Sequence, residues 1–526
     1  MGKALLNRDI FLEIVEYLPK SSLAALACTS KVLCDAALDG LWREMDSLDP
    51  LYRCLPSGVW MDFREQLVLA GAPVQPNDWL RFISYANRIC RLSLNESAQL
   101  RLDFLKVIKY HLPRGVAVFQ RLKNLRLVRN SADSEFFLGL SILLHPGLQA
   151  VDLSATLTDC VVATLSYMQT RCPDIQELSI TKAIGVMPMI DYFAQLRILV
   201  YDSPQDVVDL HLIFSLAHLP HLRALKITAR FAPDPLGTSS STRKPHDQAF
   251  PALEELSLDH ATSLQAVSHL LRLITSPTLR LFSLAYGLPD RKPAGGDLRD
   301  LSTGLSRHQK LGSLSLRSLQ VPDDAVQIKD LGGLTELKCL TDVHLTDILS
   351  HKSMSAAGIA VLTHSWSRLC TLHIICKPWH DDRAAAKVSV PNISVLSRLA
   401  ANCPCLQELR VAIEATRFSQ PLDVNTPGER CENPLHLLLC SASALENTPE
   451  HAYDVAEYIS DTYPRVDLSY EGPQDGARWK KYGAQWGEVK KLVMRMSRTR
   501  AMERRRIELE MLKLVEGVSQ MSSNSL

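Results

Sequence analysis

Leu253-Glu254-Glu255-Leu256-Ser257-Leu258 decides the fold. Its pattern is an apolar residue, two others, an apolar residue, one other, and an apolar residue, and it occurs twelve times in order between Ile89 and Val411. The other copies start at Ile89, Leu122, Leu148, Ile175, Leu196, Leu222, Leu279, Leu311, Leu340, Leu369 and Leu406, at spacings of roughly 21–37 residues. In an extended strand successive side chains face opposite sides. The fourth and sixth positions of each copy are therefore expected in a core, and the third, fifth and seventh on the opposite, solvated face. One such strand cannot bury its apolar side alone, so the copies have to stack.

The segments between copies read as helices. Leu157, Val161, Val162, Leu165 and Met168 keep a helical period, and Leu264 to Ile274 and Ile393 to Leu399 behave likewise. Cys172-Pro173 and Cys403-Pro404 stand just before a new copy, where a proline stops a helix. One strand and one helical crossover per copy predict an α/β solenoid, a leucine-rich-repeat horseshoe with a parallel concave sheet. The Cys-Pro pairs resemble the cysteine-containing class of these repeats.

Composition narrows the function. The chain has 526 residues, 46% hydrophobic residues and a net charge of +1, so it carries a large core and no global basic field for nucleic acid. No apolar run reaches the length of a membrane span. Arg8, Asp9 and Glu13 interrupt any secretory apolar segment at the start, and thirteen scattered cysteines read as reduced thiols, so cytoplasm or nucleus is expected. Cys403-Pro404-Cys405 and Cys370 with Cys376 read as structural thiols rather than a metal site, since no second pair stands at zinc-finger spacing. Walker loops, dinucleotide fingerprints, His-Glu-x-x-His helices and nucleophile elbows are absent from the sequence. No catalytic residue, cofactor or metal is expected.

The first fifty residues form a different module. Ile10, Phe11, Ile14, Val15 and Leu18 make one short amphipathic helix closed by Pro19. Ser21 or Ser22 is placed to cap a second, through Leu23, Leu26 and Ala27, and Thr29 or Ser30 a third, through Val32, Leu33, Ala36, Ala37, Leu38 and Leu41. So small a module needs the following repeats or a partner to cover its apolar residues. The stretch Leu6-Asn7-Arg8-Asp9-Ile10-Phe11-Leu12-Glu13-Ile14-Val15-Glu16-Tyr17-Leu18 resembles the opening of an F-box. Ser22 to Lys31 resembles its middle and Leu41-Trp42-Arg43 its end. Asn7 stands where the family has proline, and Asp9 where it has glutamate. Asp78-Trp79-Leu80-Arg81-Phe82 through Ile89 looks like the linker helix of fungal, basidiomycete-type F-box proteins, and Arg465 to Leu468 with Tyr470-Glu471-Gly472 and Arg478-Trp479 resembles their tail.

The resemblance implies a non-catalytic substrate receptor of an SCF-type cullin–RING ubiquitin ligase. Its F-box would dock on a Skp-type adaptor, and through it a cullin, by burying apolar anchors in a groove. By position in the motif the anchors are Leu6, Ile10, Leu18, Leu23, Leu26 and Trp42, with Trp42 foremost. A Trp42→Ala, Leu18→Ala pair is expected to abolish adaptor binding and leave the fold intact. The competing reading is a repeat scaffold for protein partners with no ligase attached, its first helices a cap.

A protein substrate is expected on the strand face, whose central outward column is Ser93, Arg126, Asp152, Ser179, Val200, Lys226, Ser257, Ser283, Ser315, His344, His373 and Arg410. Its basic end suggests that Arg317, His344, His373 and Arg410 receive an acidic or phosphorylated segment, with pH sensitivity from the histidines. Polar stretches near 231–250, 289–296, 377–387 and 417–434 read as insertions. From Trp486 to Val515 a helical pattern mixes Lys490, Lys491, Arg495, Arg498, Arg500, Arg504, Arg505 and Arg506 with apolar residues and glutamates. It reads as a solvated terminal helix in preference to a nuclear-localisation or RNA-contact segment. The expected domains are 1–50 F-box-like, 51–88 helical linker, 89–470 repeats and 471–526 basic helix and polar tail.

Overall fold

The computed structural model describes residues 13–523 apart from 30, 57–59, 64–65, 70–74, 96–101, 113–115, 130–139, 156–157, 232–248, 288–294, 321–325, 350–353, 376–390, 417–434, 440–443, 447 and 471–476. The four expected insertions fall wholly or mostly outside the described residues, as do Leu6 and Ile10. The chain divides into two compact units, Met1–Leu253 and Glu254–Leu526.

In the first unit a helical turn at 13–16 leads to helices Lys20–Thr29 and Lys31–Arg43, then β1 (Glu44–Met45). The second helix starts before the expected serine caps, with the Leu23 amide already bonded to the Pro19 carbonyl at 3.1 Å. An antiparallel ribbon, β2 (Trp60–Phe63) and β3 (Gln66–Leu69), precedes the linker helix Asp78–Ala86. The repeat strands follow: β4 (Arg91–Asn95), β5 (Asn124–Arg129), β6 (Ala150–Ala155), β7 (Glu177–Thr181), β8 (Ile198–Val208) and β9 (Ala224–Phe231). Each is parallel to the one before, and β1 pairs with β4, so the end of the helical module opens the sheet.

The second unit repeats the plan with β10 (Glu255–Ala261), β11 (Leu281–Tyr286), β12 (Ser313–Ser318), β13 (Asp342–Thr346), β14 (Thr371–Ile375), β15 (Glu408–Val411), β17 (Leu435–Leu439) and β19 (Val466–Tyr470), all parallel. A two-stranded side pair, β16 (Glu414–Ala415) and β18 (Ala444–Leu445), stands apart from them. Helix Pro449–Thr462 and the long helix Ala477–Ser523 complete the unit. Both units are leucine-rich-repeat solenoid structure.

The register explains the sequence pattern. In every copy the fourth and sixth residues are buried, Leu92 and Leu94, Leu256 and Leu258, Leu372 and Ile374 among them. The second position has a backbone role that the apolar pattern does not encode. The Gln149 carbonyl accepts the amides of Gln176 and Glu177 at 2.8 and 3.0 Å, and the Gln176 carbonyl repeats this with Arg197 and Ile198 at 2.7 and 3.0 Å. These copies thus tie the next in line before its strand begins. Another such feature is a left-handed backbone at the eighth position of three copies, Lys182, His260 and Asp347, where the strand ends.

Crossovers with room are α-helical as the periodicity implies: Thr158–Arg171, Leu264–Leu273 and Val395–Asn402. Ser263 caps the second by accepting the Ala266 amide at 3.2 Å. Met187–Met189 and Ile328–Glu336 are 3-10 instead. The first lies in the shortest copy and carries Pro188, which leaves no room for an α-helix. The second holds Gly332-Gly333, and a Cβ on Gly333 would stand 2.4 Å from the Ser302 carbonyl oxygen. That glycine lets the crossover lie against helix Gly295–Leu305.

Candidate functional site

The helical module has a small core. Val15 and Leu23 are buried, with Leu18, Leu26, Leu33, Ala36 and Leu41 packed around them half-covered. Of the expected adaptor anchors, Leu23 is therefore internal and Leu18 and Leu26 are half-buried. Trp42 is also internal: it is 8% exposed and stacks on Tyr85 of the linker helix, with ring centroids 4.5 Å apart and planes 8° from parallel. The Trp42→Ala, Leu18→Ala pair would open this contact. Arg88 fastens the same junction. Its guanidinium pairs with Asp35 and Asp39 and donates to the Asp35 carbonyl at 2.9 Å.

The apolar residues that do face solvent are others: Tyr17 (87% exposed), Val32 (71%) and Ile14 (41%). Ile14 and Val32 are among the apolar residues expected to need the repeats or a partner to cover them. Val32 lies off the stripe Leu33, Ala36, Ala37, Gly40 and Leu41, which was the available signal. Between this module and the first repeat lies a cavity of about 600 Å³. Its cations are held: Arg43 pairs with Glu16, Arg91 with Glu44, Arg121 with Asp39, and Lys20 donates to the Glu44 carbonyl.

In the second unit the register aligns Ser257, Ser283, Ser315, His344, His373 and Arg410 across adjacent strands. Arg317 is exposed but one row over, opposite Thr346. The two histidines meet, Nδ1 to Nδ1 at 2.9 Å, and His373 Nε2 lies 2.9 Å from a Glu408 carboxylate oxygen. With both rings neutral, His373 donates from Nε2 to Glu408 and accepts at Nδ1 from His344, leaving His344 Nε2 an acceptor. Burial, and next the neighbouring His373, hold the His344 pKa below its ordinary value. The row two residues earlier is Asp342, Thr371, Glu408, His436 and Asp467, in register. Asp467 lies 3.4 Å from His436 Nδ1 and 3.3 Å from Lys490. The basic row therefore runs beside an acidic one, which reading only the fifth positions missed.

In the first unit Ser93, Arg126, Asp152, Ser179, Val200 and Lys226 align in the same way. A groove of about 380 Å³ lies along β1 and β4 to β8 over this column.

The terminal helix is anchored by buried Trp486, Val489 and Val493, and by Arg500, which pairs with Asp461 and donates to Ser460 at 2.6 Å. Beyond it Met502, Ile507, Leu509, Met511 and Leu512 are exposed. Among the described residues no group of three His, Cys, Asp or Glu stands where it could hold a metal ion, and no helix is long and apolar enough to cross a membrane.

No family model matches the chain, and no curated protein matches it. Two solved structures show a likeness in fold. A leucine-rich-repeat protein of Leptospira interrogans is 15% identical, with a TM-score of 0.38, over 72% of this chain and 91% of its own. A chain of the yeast Rad7–Elc1 complex is 14% identical, with a TM-score of 0.37, over 82% of this chain and 92% of its own.

Proposed function

We propose that the chain is the substrate-recognition subunit of an SCF-type cullin–RING ubiquitin ligase. Its N-terminal helices dock a Skp-type adaptor and its repeats hold a protein substrate. The chain does no chemistry itself and supplies proximity and orientation to the catalytic subunits. The observation that carries the reading is the helical module: the F-box-like segment presents Tyr17, Val32 and Ile14 to solvent while Trp42 and Arg88 lock it to the linker and first repeat. Exposed aromatic and aliphatic anchors on a rigid support are what a groove-binding interface requires. In this reading Leu18 and Leu26 contribute at the edge of the interface, and Leu23 and Trp42 hold the module in shape. His344, His373, Arg410 and Arg317 remain the proposed contacts for an acidic or phosphorylated stretch of substrate.

The test is binding of the full-length chain to a purified Skp-type adaptor, beside a Tyr17→Asp, Val32→Asp variant. Both side chains are exposed, so the variant is expected to melt with the wild type while its adaptor affinity falls by about tenfold or more. A folded wild-type chain that binds no adaptor would leave the repeat scaffold for protein partners as the function.

A further inference from the structure

The groove on the first unit's strand face has a charge pattern that the proposed function does not use. Six charged side chains line it: Glu44, Asp46, Asp152, Glu177, Arg91 and Arg126. Both cations are already engaged, Arg91 with Glu44 at 2.9 Å and Arg126 with Asp152 at 3.1 Å. Among the described residues no cation pairs with Asp46 or Glu177, and both are exposed. The groove is thus net negative, with an uncompensated carboxylate toward each end. Asp46 directly follows β1 and Glu177 opens β7, four strand steps away in the order β1, β4, β5, β6, β7. With about 4.8 Å per step and a two-residue offset along the strands, since Glu177 is in register with Glu44, the two stand roughly 20 Å apart. An extended chain at about 3.3 Å per residue covers that in about six residues.

The surroundings fit long cationic side chains. Ile198 is the register partner of Glu177 and Val200 that of Ser179, giving half-covered apolar surface for an aliphatic stem beside the carboxylate. The backbone groups of these strands are used within the sheet, so an occupant crossing them is recognised through its side chains. We propose that this groove binds an extended segment of a partner protein carrying two basic residues, arginine or lysine, about six positions apart, one on Asp46 and one on Glu177. The proposal rests on the reading that the repeats bind a protein. It sets this surface apart from the basic row of the second unit, which suits an acidic segment.

A library of random dodecapeptides displayed on phage and selected on the immobilised full-length chain tests it. Enriched sequences are expected to share two basic residues five to seven positions apart. Synthetic copies are expected to bind an Asp46→Asn, Glu177→Gln variant about tenfold or more weakly, with its melting temperature unchanged. Failure to enrich any sequence, enrichment of peptides without the basic pair, or equal binding by the variant overturns the proposal. Adaptor binding by the same variant is read in parallel. Its retention shows that a negative peptide result concerns this groove and not the ligase assignment.

Discussion

Trp42, expected by its place in the motif as an adaptor anchor, stacks in the structure on Tyr85, forty-three positions on. Aromatic residues near a helix end serve equally as interface anchors and as internal joints. Trp42→Ala should cost the fold about 3–5 kcal/mol, measured by denaturant unfolding of the full chain, because a large buried ring leaves a cavity. An unchanged midpoint would mean the stack contributes nothing. The histidines give a second prediction at this scale. Burial is the first cause holding His145, His308 and His344 below their ordinary pKa, and the His308 ring is enclosed with Nε2 3.2 Å from the Leu271 carbonyl oxygen. Well above about pH 6.5 all three are neutral in both folded and unfolded chains. On acidification the unfolded chain takes up protons first, so stability falls as pH falls through that value. The melting temperature should drop between about pH 7.5 and 5.5, and His308→Gln should make the drop smaller. A melting temperature that rises on acidification would contradict the burial argument.

Elements were legible where local chemistry and period agreed. The strands follow from apolar positions two apart, and helix Leu264–Leu273 from its stripe and Ser263 cap. Three features were not legible, each for a long-range reason. The 3-10 crossover Ile328–Glu336 depends on the helix before it, because Gly333 is needed only where Ser302 comes close. The left-handed eighth positions carry Lys, His and Asp, so no glycine announces them. The acidic row beside His344 and His373 was hidden because the pattern fixes which positions face out but not which charges will lie beside one another. Gly333→Ala should destabilise the second unit by about 1–3 kcal/mol, since its methyl group meets backbone that cannot swing aside. Gly332→Ala, with open space around its Cβ, is the control and should cost less; equal losses would show that close approach to Ser302 is not the cause.

At the scale of the molecule, stacking makes stability local. Each of β4 to β8 touches its two neighbours in the ladder and is tied to them through second-position carbonyls, so damage should spread one repeat at a time. This bears on function, because a binding face assembled from many strands can lose one patch and keep another. Leu125 in β5 is buried and sits in register between Leu92 and Val151. Leu125→Ala should cost about 2–5 kcal/mol, and native-state hydrogen exchange should quicken in β4, β5 and β6. Amides of β8 and β9, three and four strands away, should keep their wild-type protection. The groove would then loosen at Arg91 and Arg126 while the ground beside Glu177 stays firm, so a dibasic peptide should lose affinity chiefly through its Asp46 end. If protection instead falls by the same amount from β4 to β9, the unit unfolds as a single cooperative block, and its binding surface is gained and lost as a whole.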